Sequence, residues 1–234
     1  MKETLVFVHG MSHGAWCWEE KFIPYFEAKG YTCLAMNLPG HEEIGSSKAI
    51  SYSVNDYVKA LGAFVDKLDS PPILIGHSMG GMIVQRYLKT GKAKKAILLA
   101  SVPPSGVLFP SLRTLFHYPG AIPYLLQGNL LKACQKYAKL FFNDNPLLEV
   151  YKPKLCAESF WAYLGLFIPV RHRIDCPVMV IGGSADGLIS VDEFQQTAKH
   201  YQAPIEIIES GSHDLMLDEG WEKTAEVMEG WITK

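Results

Sequence analysis

Short apolar runs recur along the chain, separated by longer stretches with helical spacing. The runs are Leu5–Val8, Thr32–Asn37, Ile73–Ile75, Ala96–Ala100, Val178–Ile181 and Ile205–Ile208. They are rich in Val, Ile or Leu, and most lack polar alternation, the pattern of strands buried on both faces of a parallel sheet. Between them, Trp16–Lys29 reads as a helix ending before Gly30, and Met79–Thr90 as one ending before Gly91. Ser53-Val54-Asn55-Asp56 and Ser190-Val191-Asp192-Glu193 have capping-box spacing and open helices reaching about Leu68 and Tyr201. A further helix spans Trp221–Ile232. This alternation predicts an α/β fold, a doubly wound and mostly parallel sheet of about six strands with right-handed crossovers.

One region breaks the rhythm. Between Ala100 and Val178 there is no good strand pattern, and only pieces such as Leu130–Phe142 and Ala157–Phe167 read as helix. A plain loop of about seventy residues is too long for a compact domain. Residues 103–173 are therefore expected to form a helical cap inserted before the penultimate strand, on a core made of 1–102 and 174–234.

Composition narrows the class. The 234 residues are 48% hydrophobic and 20% charged, which suits one globular domain of ordinary size. A net charge of −2 gives no global attraction to nucleic acid. Cys17, Cys33, Cys134, Cys156 and Cys176 are odd in number and contain no C-x-x-C spacing. They suggest a reduced, cytoplasmic setting rather than disulfides or a cysteine metal site. The first apolar run is too short for a signal peptide or a membrane span.

The chemistry centres on Gly76-His77-Ser78-Met79-Gly80-Gly81, a G-x-S-x-G placed between a strand pattern and a helix pattern. Alone, it marks only a glycine-rich turn. A serine hydroxyl is a weak nucleophile until a base and an oxyanion site surround it, and the rest of the chain offers both. His213, in Ser210-Gly211-Ser212-His213-Asp214, follows the last strand. Loops at the carboxyl ends of parallel strands are where such sheets place their sites. Asp186 follows the strand Val178–Ile181 and can orient that imidazole. Asp192 is the rival acid, but it falls in a first helical turn, and Asp175 precedes its strand. The backbone N–H of Met79 opens a helix and is free to donate. The Met11 N–H, in the loop Val8-His9-Gly10-Met11, is the candidate second donor, with Gly10 allowing a backbone reversal.

Serine, acid and base thus occur in the order Ser78, Asp186, His213, each after a separate strand. At this point the chain resembles the α/β-hydrolase family over nearly its whole length. The segment His9-Gly10-Met11-Ser12-His13-Gly14-Ala15-Trp16-Cys17-Trp18 is similar to the methylesterase and hydroxynitrile lyase branch, and the chain is also similar to small bacterial carboxylesterases. The resemblance implies a minimal six-stranded sheet, a cap, and a catalytic triad of Ser78, Asp186 and His213. It also prunes the chemistry. Dehalogenase and epoxide hydrolase branches carry Asp at the elbow, where this chain has Ser78. The lyase branch has Thr in place of the glycine of the His-Gly pair and Lys after the catalytic histidine; this chain has Gly10 and Asp214.

The expectation is a serine carboxylesterase that forms an acyl-enzyme, with oxyanion donors at Met11 and Met79 and no cofactor or metal. A thioesterase, a carbon–carbon bond hydrolase or a ligand-binding receptor with little turnover remains open. The cap supplies Leu108, Phe109, Leu112, Leu115, Phe116, Phe141, Phe142, Trp161, Leu164 and Phe167, a lid suited to small or medium apolar esters. It also carries eight basic and three acidic residues, a net +5 that leaves −7 on the rest of the chain. Lys132, Lys136 and Lys139 have the spacing of one helix face. Such a face would attract an anionic substrate or an acyl carrier.

Overall fold

The computed structural model describes residues 3–48, 50–143 and 145–234. Six strands form one sheet: β1 Thr4–Val8, β2 Thr32–Met36, β3 Ile73–His77, β4 Lys95–Leu99, β5 Val178–Gly183 and β6 Ile205–Ile208. Their order is β2-β1-β3-β4-β5-β6, and every pairing is parallel. β3 and β5 are buried at every position, as continuous apolar runs require when helices cover both faces. The edge strands β2 and β6 are partly exposed.

Outside the insertion the helices are α1 Trp16–Glu19, α2 Phe22–Ala28, α3 Val54–Val65, α4 Met79–Tyr87, then α11 Val191–Tyr201 and α12 Trp221–Ile232. Phe22 of α2 meets Trp221 of α12 at 6.2 Å, which marks one helical layer. On the other, α3 packs on α4, and the Tyr201 hydroxyl of α11 donates to Gln85 Oε1 of α4 at 2.9 Å. Both capping boxes form as the sequence predicts: the Ser53 and Ser190 hydroxyls accept from Asp56 N and Glu193 N.

Among the described residues six α-helices lie between β4 and β5: α5 Leu108–His117, α6 Ile122–Leu126, α7 Leu130–Lys136, α8 Lys139–Phe142, α9 Leu148–Tyr151 and α10 Phe160–Gly165. Several expected helices are shorter or broken: α3 ends at Val65 and α4 at Tyr87, each three residues before its expected end near Leu68 or at Thr90. Trp16–Lys29 divides at Lys21, where φ is −129°. Pro24 explains the break, since its ring is excluded from a helix interior but tolerated in a first turn. Leu130–Phe142 divides at Tyr137, so Lys139 does not continue the Lys132 and Lys136 face of α7. The Lys136 ammonium instead lies over the Tyr124 and Tyr137 rings, at 5.2 and 5.5 Å. Ala157–Phe167 begins only at Phe160, because residues before Ser159 run extended into the core. Asp144, one of the three cap acids, lies outside the described residues. No described helix is long and apolar enough to cross a membrane.

The strand order fixes where a site can form. The chain runs from β1 outward to β2, then returns to β3 on the other side of β1. The loops leaving β1 and β3 therefore diverge to opposite faces, and a crevice opens between their carboxyl ends. Ser78 follows β3 directly, and His9-Gly10-Met11 follows β1. The two approach closely because α4 crosses over the end of β1. A Cβ on Gly80 would lie 2.3 Å from the Val8 carbonyl oxygen and 2.5 Å from that of His9. Both obstacles are backbone, so neither can move aside cheaply. Gly80→Ala is expected to cost about 1–3 kcal/mol or more by forced displacement of α4. Urea unfolding measures this, and wild-type stability would contradict the close approach.

Candidate active site

Ser78 caps the N-terminus of α4 with φ 51° and ψ −117°. That conformation is strained for any residue with a Cβ, and it persists because its surroundings over-determine it. The Ser78 N–H donates to Leu99 O at 3.1 Å, and its carbonyl accepts from Gly81 N at 3.0 Å and Val102 N at 3.1 Å. Gly76 gives the space for this turn, since a Cβ there would lie 2.6 Å from Gly80 O. The hydroxyl is thereby held at the mouth of the crevice.

His213 reaches it from the loop after β6. Its Nε2 lies 2.9 Å from Ser78 Oγ, and its Nδ1 lies 2.8 Å from Asp186 Oδ2. A carboxylate only accepts, so Nδ1 carries the proton and Nε2 is left to accept from the serine. Asp186 is itself fixed, because its Oδ1 accepts Leu188 N at 2.7 Å and Ile189 N at 2.9 Å. Burial works to lower the His213 pKa, but the Asp186 carboxylate and its hydrogen bond outweigh it, leaving the pKa above the ordinary histidine value. The structure thus brings Ser78, Asp186 and His213 into one hydrogen-bonded line.

The loop after β1 passes close to the serine. A Cβ on Gly10 would lie 2.7 Å from His77 Nδ1 and 3.0 Å from Ser78 Cβ. Gly10 is therefore required for close approach, and the left-handed residue of this loop is Ser12, with φ 61°. His9 is buried and sets the next peptide. Its Nε2 accepts Leu38 N–H at 3.0 Å, so the ring proton sits on Nδ1, which donates to Gly10 O at 2.8 Å. Burial and then the neighbouring His41 hold the His9 pKa well below the ordinary value, consistent with this neutral tautomer. In a trans peptide the carbonyl and the next N–H point in opposite directions. Anchoring Gly10 O thus aims the Met11 N–H the other way. Among the described residues, neither the Met11 nor the Met79 N–H has an acceptor.

Beneath the site lies a buried ion pair. His13 Nδ1 faces Met11 O at 2.9 Å, and Nε2 faces Asp214 Oδ2 at 3.1 Å. Both partners are acceptors, which suits an imidazolium paired with a carboxylate. Burial opposes both charges, yet Asp214 raises the His13 pKa, and His13 lowers that of Asp214. His77 differs: burial lowers its pKa to about 3, and its Nε2 donates to His213 O at 3.1 Å. The donor atoms of His77, His213 and Asp214 lie within 4.8 Å of one another. A cation there would have to take a His213 nitrogen away from Ser78 or Asp186. Sequence reasoning missed His9, His13 and Asp214 as parts of this site. Each adjoins a motif, but its partner is remote in sequence.

Above Ser78 the insertion encloses an apolar cavity of about 130 Å³. Its lining includes Met11, Met79, Pro110, Leu115, Leu125, Leu140, Phe141, Tyr163 and Leu166, with Ser78 and His213 at one end. Leu115 and Phe141 are among the expected lid residues. Leu108, Phe109, Leu112, Phe116, Trp161 and Leu164 instead face outward and are exposed, because α5 and α10 turn their other sides to the cavity.

The profile of the Alpha/beta hydrolase family matches residues 5–227. The chain belongs to that family. It is similar to pFDCC methylesterase MES16 of Arabidopsis thaliana, 36% identical over 118 residues, 47% of this chain and 44% of that protein. The match thus spans less than half the length of that relative. The structure of MES16 superimposes with a TM-score of 0.68 at 21% identity, covering 100% of both chains. A bromoperoxidase from Bacillus anthracis gives 0.79 at 19% identity, covering 100% of this chain and 93% of the other. These likenesses show the shared fold.

The ion pair makes a prediction with a sign. His13, with its raised pKa, stabilises fully below its unfolded value of about 6.5 and loses that as pH rises through the folded value. Asp214, with its lowered pKa, stabilises above about 3.9 and loses that as pH falls. Asp214→Asn is therefore expected to cost about 3–5 kcal/mol near pH 5.5, by stranding a buried charge, and less at pH 9. Denaturant melts at the two pH values test this, and an equal cost at both would contradict the pairing.

Proposed function

We propose that the chain is a serine carboxylic-ester hydrolase acting through an acyl-enzyme on small to medium, fairly apolar esters. The observation that carries this reading is the His213 imidazole, bridging Ser78 Oγ at 2.9 Å and Asp186 Oδ2 at 2.8 Å at the end of an apolar cavity. The methylesterase relative supports an ester as substrate.

In this mechanism the Ser78 oxygen attacks the ester carbonyl carbon while His213 Nε2 takes its proton. The carbonyl electron pair moves to oxygen, where the Met11 and Met79 N–H groups receive it. Each such donor is worth roughly 2.7–4 kcal/mol in the transition state. Collapse restores the carbonyl and breaks the bond to the alkoxide, which leaves with the His213 proton. Water then repeats the sequence, with His213 as base, and releases the acid and free Ser78. Asp186 keeps the imidazole in the correct tautomer and stabilises its cationic form.

An ester panel varying acyl and alcohol length, with thioesters included, identifies the preferred class. Ser78→Ala is expected to abolish turnover of every ester that wild type cleaves, and wild-type rates in that variant would refute the mechanism. The base must be neutral, so kcat/KM should rise with pH along a limb centred above about 6.5. Asp186→Asn should cut kcat by about 10³–10⁴-fold and move that limb to lower pH, since burial would then be opposed only by the more distant Asp214 and Asp218. A flat profile between pH 5 and 9 would contradict His213 as base.

A further inference from the structure

Glu158 belongs to the insertion, yet its side chain is fully buried against the core. It lies in the extended segment just before α10, whose cap is Ser159. Its carboxylate meets four donors from three other places in the chain and its own neighbour. Oε2 accepts the Ser12 N–H at 3.2 Å and faces His41 Nε2 at 3.1 Å. Oε1 accepts the Tyr57 hydroxyl at 2.9 Å and the Ser159 N–H at 2.7 Å. A carboxylate offers about four lone-pair sites, and these four donors match that number. Burial, and then this carboxylate, push the Tyr57 phenol well up, keeping it a donor.

The contact with Ser12 is the informative one. Ser12 follows Met11, and its φ of 61° is unfavourable for a residue with a Cβ. The insertion grips it on both sides, since Cys156 N donates to Ser12 O at 2.9 Å while Glu158 takes the Ser12 N–H. The peptide joining Met11 to Ser12 is also held at both ends. Its carbonyl accepts from His13 Nδ1 at 2.9 Å, and its N–H donates to Glu158. An imidazolium at the oxygen end and a carboxylate at the nitrogen end clamp one peptide plane.

We propose that Glu158 is a positioning residue for the oxyanion site: by fixing the Met11–Ser12 peptide it holds the Met11 N–H in its donating direction. This rests on the esterase reading above. Oxyanion donors lower the barrier only when they are aimed before the reaction begins. A misplacement of about 1 Å can cost on the order of 10²-fold in rate. Glutamine cannot replace the carboxylate. Its NH2 group must face either the Ser12 N–H or the Ser159 N–H, and a backbone donor cannot become an acceptor.

Glu158→Gln and Tyr57→Phe test this beside wild type. The measurements are kcat per active site titrated with a fluorophosphonate, KM for the best ester of the panel, the affinity of an alkyl boronic acid, and stability. For Glu158→Gln, kcat is expected to fall about 10–100-fold, with KM changing by less than about twofold. Boronate affinity, which depends on the same donors, should weaken in step. Tyr57→Phe removes one tether of the carboxylate and should give a smaller loss in the same direction. If stability falls while kcat and boronate affinity keep their wild-type values, Glu158 is only a structural anchor and the proposal is overturned. Should the glutamine variant not fold, Tyr57→Phe decides, with unchanged kcat overturning the proposal. Wild type that neither hydrolyses esters nor reacts with the phosphonate at Ser78 refutes the esterase reading itself. Wild-type hydrolysis with unaltered variants refutes the role of Glu158 alone.

Discussion

Where α4 begins, it lies so close over the end of β1 that residue 80 has no room for a Cβ. This contact sets the geometry of the whole site. It forces the sharp turn at Ser78, since the chain leaves β3 and must enter the helix within a single residue. It brings that turn beside the loop leaving β1, where a Cβ on Gly10 would run into the His77 ring and Ser78 Cβ. The strand order then guarantees a crevice at that place, because the chain reverses its direction of winding between β1 and β3. Ester chemistry needs a nucleophile and oxyanion donors within a few ångströms of one carbon. Here backbone packing supplies that proximity, and side chains refine it.

The refinement is electrostatic. Buried histidines surround the elbow, and three of them are specified by what faces their two nitrogens. His9 is neutral because a backbone N–H and a carbonyl flank it. His13 suits the charged form because two acceptors flank it. His213 is poised between an acceptor and a hydroxyl, the one arrangement that allows a proton to come and go. Identical side chains thus take distinct protonation states within a small volume, and the assignment follows from hydrogen-bond roles.

The strands and the Ser78, Asp186, His213 constellation were legible in the sequence for one physical reason. Strands buried on both faces are short continuous apolar runs, and each candidate residue sits directly after one of them. Helix lengths were less legible where a local signal competed with periodicity. Pro24 is the mark of the break at Lys21, and the stretch before Ser159 is kept out of the helix while Leu155, Cys156 and Glu158 reach into the core. Glu158 and Asp214 were silent in the sequence. Their partners Ser12 and His13 lie 146 and 201 positions away, so nothing local distinguishes them from ordinary surface acids. The cavity lining is hidden for a similar reason, since an apolar helix residue does not reveal which side of the helix meets the site.

The insertion leaves β4 and returns at β5, and those two strands are hydrogen-bonded neighbours. Such an attachment has the form of a cassette, since its two ends meet the sheet side by side and no strand register runs through it. The stitches from Cys156 and Glu158 to Ser12 fasten it to the core away from those ends. A transplanted cassette would bring a new pocket, and it would also have to satisfy the Ser12 N–H and carbonyl, which this one binds. Diversification of the pocket is thereby channelled. The helices α5, α8 and α9 carry ties of their own to the core, through Arg113, Phe141 and Tyr151, and the short stretch before α10 adds the two that hold Ser12.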